Sequence, residues 1–348
     1  MERTIINKQK NNPFTKFVVF VKPGQNKLLR KQNSNRSYSL QKPSNDFNLY
    51  RRIKRKIKGS PLTHTYIFHG FYRAAKYLNL ETFWIDNQKD LDHISDEKTI
   101  VFCEGSFMPD LNKKLESKYI VHSIPKYLVR KCRELSEKKI CLNLEVFKKE
   151  AIDFYQLNEL AFFDEKSFTL YQPWATNLLP NEFREFDNKD AIRLDNICYY
   201  IGLLYGSGSK KADNLNTFLQ KSKSQTEIRC VTGASDSLAR ELTLRSSICI
   251  DIRSGHHLEV GYVPCRVFKT LSYGREIFVN SKSIKDLLNH IPNVKYYSSG
   301  EDLRNQYENF CSIHNSKKFN DDQNFTLNYI KNNHTFINRL NNIFEVFN

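Results

Sequence analysis

Arg266 is the residue whose placement asks most of the chemistry around it. It lies in GHHLEVGYVPCRVFKTLSYGREIFVNS, residues 255–281, a run that reads as loop, short helix, glycine stop and buried strand. Pro264 suits a first helical turn, where its missing N–H costs little, and Gly274 suits the stop. Val267, Phe268 and Leu271 recur at helical spacing, and Ile277, Phe278 and Val279 form the short apolar run of a strand buried on both faces. A cation in the first turn opposes the positive end of the helix dipole. Either Arg266 leans into solvent, or an anion bridges its guanidinium and the free N–H groups, and phosphate is the usual anion at such a place. A second candidate for phosphate contact is the loop Gly206-Ser207-Gly208-Ser209-Lys210-Lys211, between an apolar strand and a helix. Its small residues permit close backbone approach and its lysines add charge. It matches neither a P-loop nor a dinucleotide fingerprint, so a plain solvent loop stands beside the phosphate reading.

The elements that must position these residues alternate along the chain. Phe17 to Val21 reads as an opening strand closed by Pro23 and Gly24. A helix from Thr63 or His64 carries Ile67, Phe68, Phe71, Ala74, Ala75 and Leu78 on one face. Strands follow at Thr82 to Asp86, Thr99 to Gly105 and Lys118 to Ser123, then a helix with Tyr127, Leu128 and Cys132, then strands at Lys139 to Phe147 and Ser167 to Trp174. Such alternation predicts a parallel sheet covered on both faces, with its ligand crevice at the carboxyl ends of the strands. Glu104 and His122 both occupy such ends. Asn177 to Asn196 is polar and reads as a linker. A second α/β set follows, with strands in CYYIGLLYG, EIRCVTG, SSICIDIRS and NVKYYSS and a helix around Leu215 to Gln220. A final amphipathic helix carries Phe325, Leu327, Ile330, Ile337, Leu340, Ile343 and Phe344.

The chain has 348 residues, of which 40% are hydrophobic, with 25 Phe and 18 Tyr. That is enough to fill two cores, and it excludes a disordered chain. No apolar stretch approaches the roughly 20 residues that span a bilayer, and the N-terminus lacks the apolar core of a secretory signal. A cytoplasmic protein is expected. The formal net charge of +16 predicts an anionic partner: nucleic acid, an anionic membrane face or a phosphorylated small molecule. Much of the charge is concentrated in RRIKRKIK (51–58), inside a polar, basic stretch that reads as an insertion or loop. The eight cysteines are scattered with no CxxC or zinc spacing, which fits buried reduced thiols, and His256 and His257 lack companion ligands, so no metal site is expected.

The segments LYQPWATNLLPNEF, YYIGLLYG, GYVPCRVFKTLSYG and IFVNS resemble glycosyltransferases of the GT-B type, especially poorly characterised bacterial and viral members with a GY-x-P-x-R-x-F helix. The resemblance spans about Ile67 to Phe310 and is most specific over 255–281. It implies an α/β fold of two Rossmann-like domains facing a central cleft: an acceptor domain at 1–176 with a basic insertion at about 23–60, a linker at 177–196, a donor domain at 197–320 and a C-terminal helix at 321–348. It implies transfer of a sugar from a nucleotide-diphosphate sugar, a substrate rather than a cofactor, to a saccharide or other acceptor, without a metal. By the resemblance Gly206, Ser207, Lys210 and Arg266 face the diphosphate, with Glu259 and Tyr262 near sugar or ribose. The E-x7-E signature of retaining members is absent around this helix. An inverting transfer needs a general base, for which Glu104, His122 and His64 are the candidates. Each also has an ordinary reading, as a turn residue, a hydrogen-bonded cap and a helix start. Trp174 reads as core at the hinge. As a first-turn charge, Arg266 is expected to matter to activity and little to stability. The alternatives are a nucleic-acid-binding protein and a GT-B-fold nucleotide-sugar epimerase. No nucleic-acid module motif appears. The basic stretch also suggests peripheral contact with an anionic membrane.

Overall fold

A computed structural model describes residues 12–22, 39–41, 65–112, 115–124, 126–146, 161–184, 194–202, 215–219, 226–232, 234–253, 255–314 and 316–348. His64, the loop with Gly206, Ser207 and Lys210, and the run 51–58 lie outside these residues.

The first half contains β1 (Lys16–Phe20), β2 (Ser39–Gln41), α1 (Thr65–Tyr77), β3 (Glu81–Ile85), α2 (Gln88–Ile94), β4 (Thr99–Glu104), β5 (Lys118–His122), α3 (Val129–Glu137), β6 (Cys141–Glu145), β7 (Phe162–Asp164) and β8 (Thr169–Tyr171). Seven of these strands form one sheet in the order β3-β1-β4-β5-β6-β8-β7, parallel except for β7. Alternation along the strands sorts the core into two layers. Phe17, Val19, Phe102, Ile120, Leu142 and Leu144 meet Phe68 and Phe71 of α1, while Val18, Val101, Tyr119 and Val121 meet Leu91 of α2 and Cys132 and Leu135 of α3. The expected parallel α/β sheet is present. α2 and β7 were not anticipated; Asn87 caps α2 by accepting from the Asp90 N–H at 2.9 Å.

The second half contains β9 (Ile197–Ile201), β10 (Glu227–Thr232), α4 (Asp236–Arg245), β11 (Ile250–Asp251), α5 (His256–Glu259), α6 (Cys265–Ser272), β12 (Ile277–Val279), α7 (Lys282–Leu287), β13 (Val294–Tyr296), α8 (Gly300–Ile313), α9 (Lys317–Asn333) and α10 (Phe336–Phe347). β9 and β10 are parallel, as are β11, β12 and β13. The two ladders meet where Ser247 N–H donates to Ile197 O at 3.0 Å, so β9 lies beside the approach to β11. From β9 the chain moves outward one way to β10 and the other way to β11, β12 and β13. β2, from the stretch expected to be an insertion of the first half, pairs antiparallel with β10 of the second.

The end of the chain differs from the single helix expected. It breaks at His334 and Thr335, where the Thr335 hydroxyl accepts from the Asn338 N–H and the Asn338 side chain accepts from Thr335 N–H. After the break α10 returns to the first half: Phe336, Leu340, Ile343 and Phe344 join the core of the seven-stranded sheet, with Phe336 4.9 Å from Phe71. Thr176 and Thr335 pair as a short parallel bridge, and buried Arg339 donates to Pro173 O at 2.7 Å and Trp174 O at 3.3 Å. Trp174 is buried in this knot, as its core reading required. Phe325, expected on the apolar face, is exposed because α9 packs through Phe319, Leu327 and Ile330. All eight cysteines are free thiols, seven of them buried.

Candidate active site

In an open parallel sheet the ligand crevice forms where the chain order reverses, because the neighbouring loops part there. In the second half that point lies between the carboxyl ends of β9 and β11, which finish at Ile201 and Asp251. Arg266 spans it. Its Nη2 donates to Ile201 O at 2.8 Å, its Nη1 to Asp251 Oδ1 at 2.9 Å and to the Tyr200 hydroxyl at 2.5 Å, and its guanidinium lies 3.9 Å from the Tyr200 ring centroid. α6 begins at Cys265 with Pro264 as its cap rather than within its first turn, and Gly274, at φ +71°, makes the expected stop. Gly202 has φ +130°, and a Cβ there would stand 2.9 Å from Arg266 Nη2. Glycine is required for both reasons.

The anion that Arg266 calls for is in part internal. Asp251 is fully buried and also receives Arg253, through Nε at 2.7 Å and Nη2 at 2.5 Å. Burial alone would raise the Asp251 carboxyl, but the Arg253 and Arg266 guanidiniums outweigh it and hold the group below the ordinary carboxylate range. Both arginines stay charged, since the same carboxylate, with Tyr200, offsets the cost of their burial. Among the described residues two guanidiniums thus converge on one carboxylate, with side-chain exposures of only 10% and 21% for Arg253 and Arg266. Guanidiniums so little hydrated interact strongly with an anion brought beside them. The expectation that Arg266 is neutral for stability is corrected here: its partners make it part of a buried polar network. The Arg253 backbone is pinned by a reciprocal pair with Asn280, N–H to Oδ1 and Nδ2 to O, each 2.8 Å. Tyr262 lies with its ring 5.3 Å from the Arg253 guanidinium, and burial pushes its hydroxyl up to about 12. Glu259 is exposed on α5.

A second cluster, unforeseen, joins the halves. Asp236 in the first turn of α4 accepts from Lys269 of α6 at 3.1 Å and from Asn177 Nδ2 at 2.6 Å, and His69 Nδ1 of α1 stands 4.0 Å away. Burial lowers His69 to about 4, against the pull of Asp236, so the ring is neutral at neutral pH. One turn on, Arg73 binds Glu182 at 2.6 Å and Asn177 O at 2.8 Å. The same face of α1 sets Tyr66 5.0 Å from Lys269.

At the carboxyl edge of the first sheet, Glu104 and His122 are register partners and share the face covered by α1. The order β3-β1-β4 puts the first half's own reversal beside β4, at Glu104. His122 is buried, with Nδ1 2.9 Å from Leu144 O, Nε2 3.0 Å from Ser123 Oγ, and its ring edge-on to Trp174. Both nitrogens are therefore engaged, as in the hydrogen-bonded cap reading. Glu145 ends the next strand, and burial raises its carboxyl; the strand-end criterion that selected Glu104 would also have selected it. Asp251 and Arg253 were within reach of the same criterion, in SICIDIRS. His69 carried no signal beyond its place on an amphipathic helix. Among the described residues no group of three or more His, Cys, Asp or Glu could hold a metal ion. No helix among them is long and apolar enough to cross a membrane.

No protein-family model and no curated protein matches the chain by sequence. Among solved structures it is similar to a UDP-forming α,α-trehalose-phosphate synthase from Burkholderia xenovorans, with 9% identity, coverage of 96% of this chain and 98% of that chain, and a TM-score of 0.43. It is also similar to the spinosyn forosaminyltransferase SpnP, with 9% identity, coverage of 80% and 94%, and a TM-score of 0.40.

Proposed function

We propose that this chain transfers a glycosyl group from a nucleoside-diphosphate sugar to an acceptor hydroxyl. The observation that carries the reading is the convergence of two little-exposed guanidiniums, Arg253 and Arg266, on buried Asp251 at the strand-order reversal of the second half. Nucleotides bind at such crevices, and a diphosphate is an anion suited to paired guanidiniums. As the sugar–phosphate bond breaks, charge builds on the leaving diphosphate, where fixed guanidiniums stabilise it without reorganising. Tyr262 beside Arg253 borders the same anion, with Glu259 further out towards ribose or sugar. Glu104, at the reversal of the first sheet, is the group assigned to accept the proton of the attacking hydroxyl; His122, with both ring nitrogens engaged, positions the strand end beside it.

The test is calorimetric titration with nucleoside diphosphates and nucleoside-diphosphate sugars, repeated on Arg266→Gln. Binding by the parent protein is expected, with affinity about tenfold to a hundredfold lower in the variant, the worth of one charge-assisted bond. Absence of binding by any of them in the parent overturns the assignment. Sugar-nucleotide turnover without added acceptor, with nucleotide still attached to product, would identify an epimerase instead.

A further inference from the structure

Beyond the donor crevice, we infer that the turn leaving β5 is a membrane-contact surface for anionic lipid. The segment 124–133 contains Lys126, Arg130, Lys131 and Arg133 and no acidic residue. Tyr127 and Val129 have 78% and 50% of their surface exposed, the most exposed large apolar side chains among the described residues of the first half. Ile124 and Leu128 are half-buried and pack against the core. Tyr127 and Val129 thus stand exposed in a segment that carries four cations, while the inner face of α3 is committed to the core through Cys132 and Leu135. Exposed apolar groups of this size are unfavourable in water without a partner. Tyrosine flanked by lysine and arginine is the side-chain set that settles at a bilayer interface, the ring among the headgroups and the cations on anionic phosphates.

Charge complementarity calls for an anionic partner, and the exposed apolar pair chooses lipid over nucleic acid. Arg130 is 92% exposed and has one ion pair, to Glu134 at 3.3 Å, so its charge remains available. Base stacking would use Tyr127 but gives no role to Val129, whereas insertion uses both. The turn begins one residue after His122, on the carboxyl edge that also holds Glu104, so the surface would bring that edge to a bilayer. The inference does not depend on the reaction proposed above.

The test uses the full chain with phosphatidylcholine vesicles, with and without phosphatidylserine. Co-sedimentation is expected only with phosphatidylserine, weakening as salt is raised. Lys126→Gln with Arg130→Gln should weaken it about 25-fold, from about fivefold per cation. Tyr127→Ser with Val129→Ser should weaken it further while leaving the melting temperature unchanged, since neither residue is core. Tyr127→Trp should add a fluorophore whose emission shifts to the blue on vesicle addition. Three results would overturn the inference: no binding by the parent chain, undiminished binding after all four changes, or a single-stranded RNA that displaces vesicles and shifts the Tyr127→Trp emission itself.

Discussion

Replacing Asp251 by Asn removes the carboxylate on which two little-exposed arginines converge. The carboxylate accepts from Arg253 at 2.5 and 2.7 Å and from Arg266 at 2.9 Å, and its side chain is wholly inaccessible. Asn keeps the shape but turns an NH2 towards a guanidinium and leaves two like charges facing each other. Breaking a buried pair in this way costs about 3–5 kcal/mol. If the second half melts as one unit, the midpoint falls by about 6–20 °C. Acid adds a second signature. The folded carboxyl titrates below its unfolded value, so its contribution is complete above about pH 4 and is lost as pH falls through the folded value. The gap between parent and variant should therefore close on acidification below about pH 4. Because the variant carries more uncompensated charge, a saturating nucleoside diphosphate should stabilise it more than it stabilises the parent. Differential scanning calorimetry across pH, with and without the nucleotide, reads all three effects. A loss below about 1 kcal/mol at neutral pH, or a variant that gains nothing from the nucleotide, refutes the charge accounting.

Gly202→Ala should cost about 1–3 kcal/mol, because φ +130° strains an L-residue and the new Cβ meets Arg266 Nη2; urea denaturation measures it. His69 binds its proton less readily folded than unfolded, so stability should fall as pH drops from about 6.5 towards 4, by up to about 3 kcal/mol. His69→Asn should flatten that slope in melts at the two pH values. Glu104→Gln should lower turnover by about a hundredfold to ten thousandfold with nucleoside-diphosphate affinity unchanged, separating proton transfer from donor binding.

Strands buried on both faces were legible because they are short, apolar and closed by polar residues: Thr99 to Gly105 was expected and Thr99–Glu104 is found. Lys118 to Ser123 against Lys118–His122 is as close. Local pattern could place Arg266 at the start of a helix, but not name its partner. Tyr200 and Ile201 reach it only because β9 lies beside the approach to β11, and strand order is set by packing far along the chain. The seam of His69, Asp236 and Lys269 was hidden for the same reason, since it joins three helices. The break at His334 was missed because neither Gly nor Pro marks it. Its one local signal is Thr335 with Asn338 three residues on, a weak form of a capping box.

The return of α10 to the first sheet makes one core depend on residues made at very different times. Arg339 lies 167 residues after Gln172, whose side chain donates to its carbonyl. At roughly 5–20 residues per second, a ribosome needs about 8–33 s to cover that distance. During this interval Phe14, Phe71 and Phe168 present to water, or to a chaperone, the surface that Phe344, Phe336 and Phe347 will cover. The amino-terminal half is thus synthesised first yet completed last, and ribosome stalling between the two segments would expose a nascent chain to aggregation.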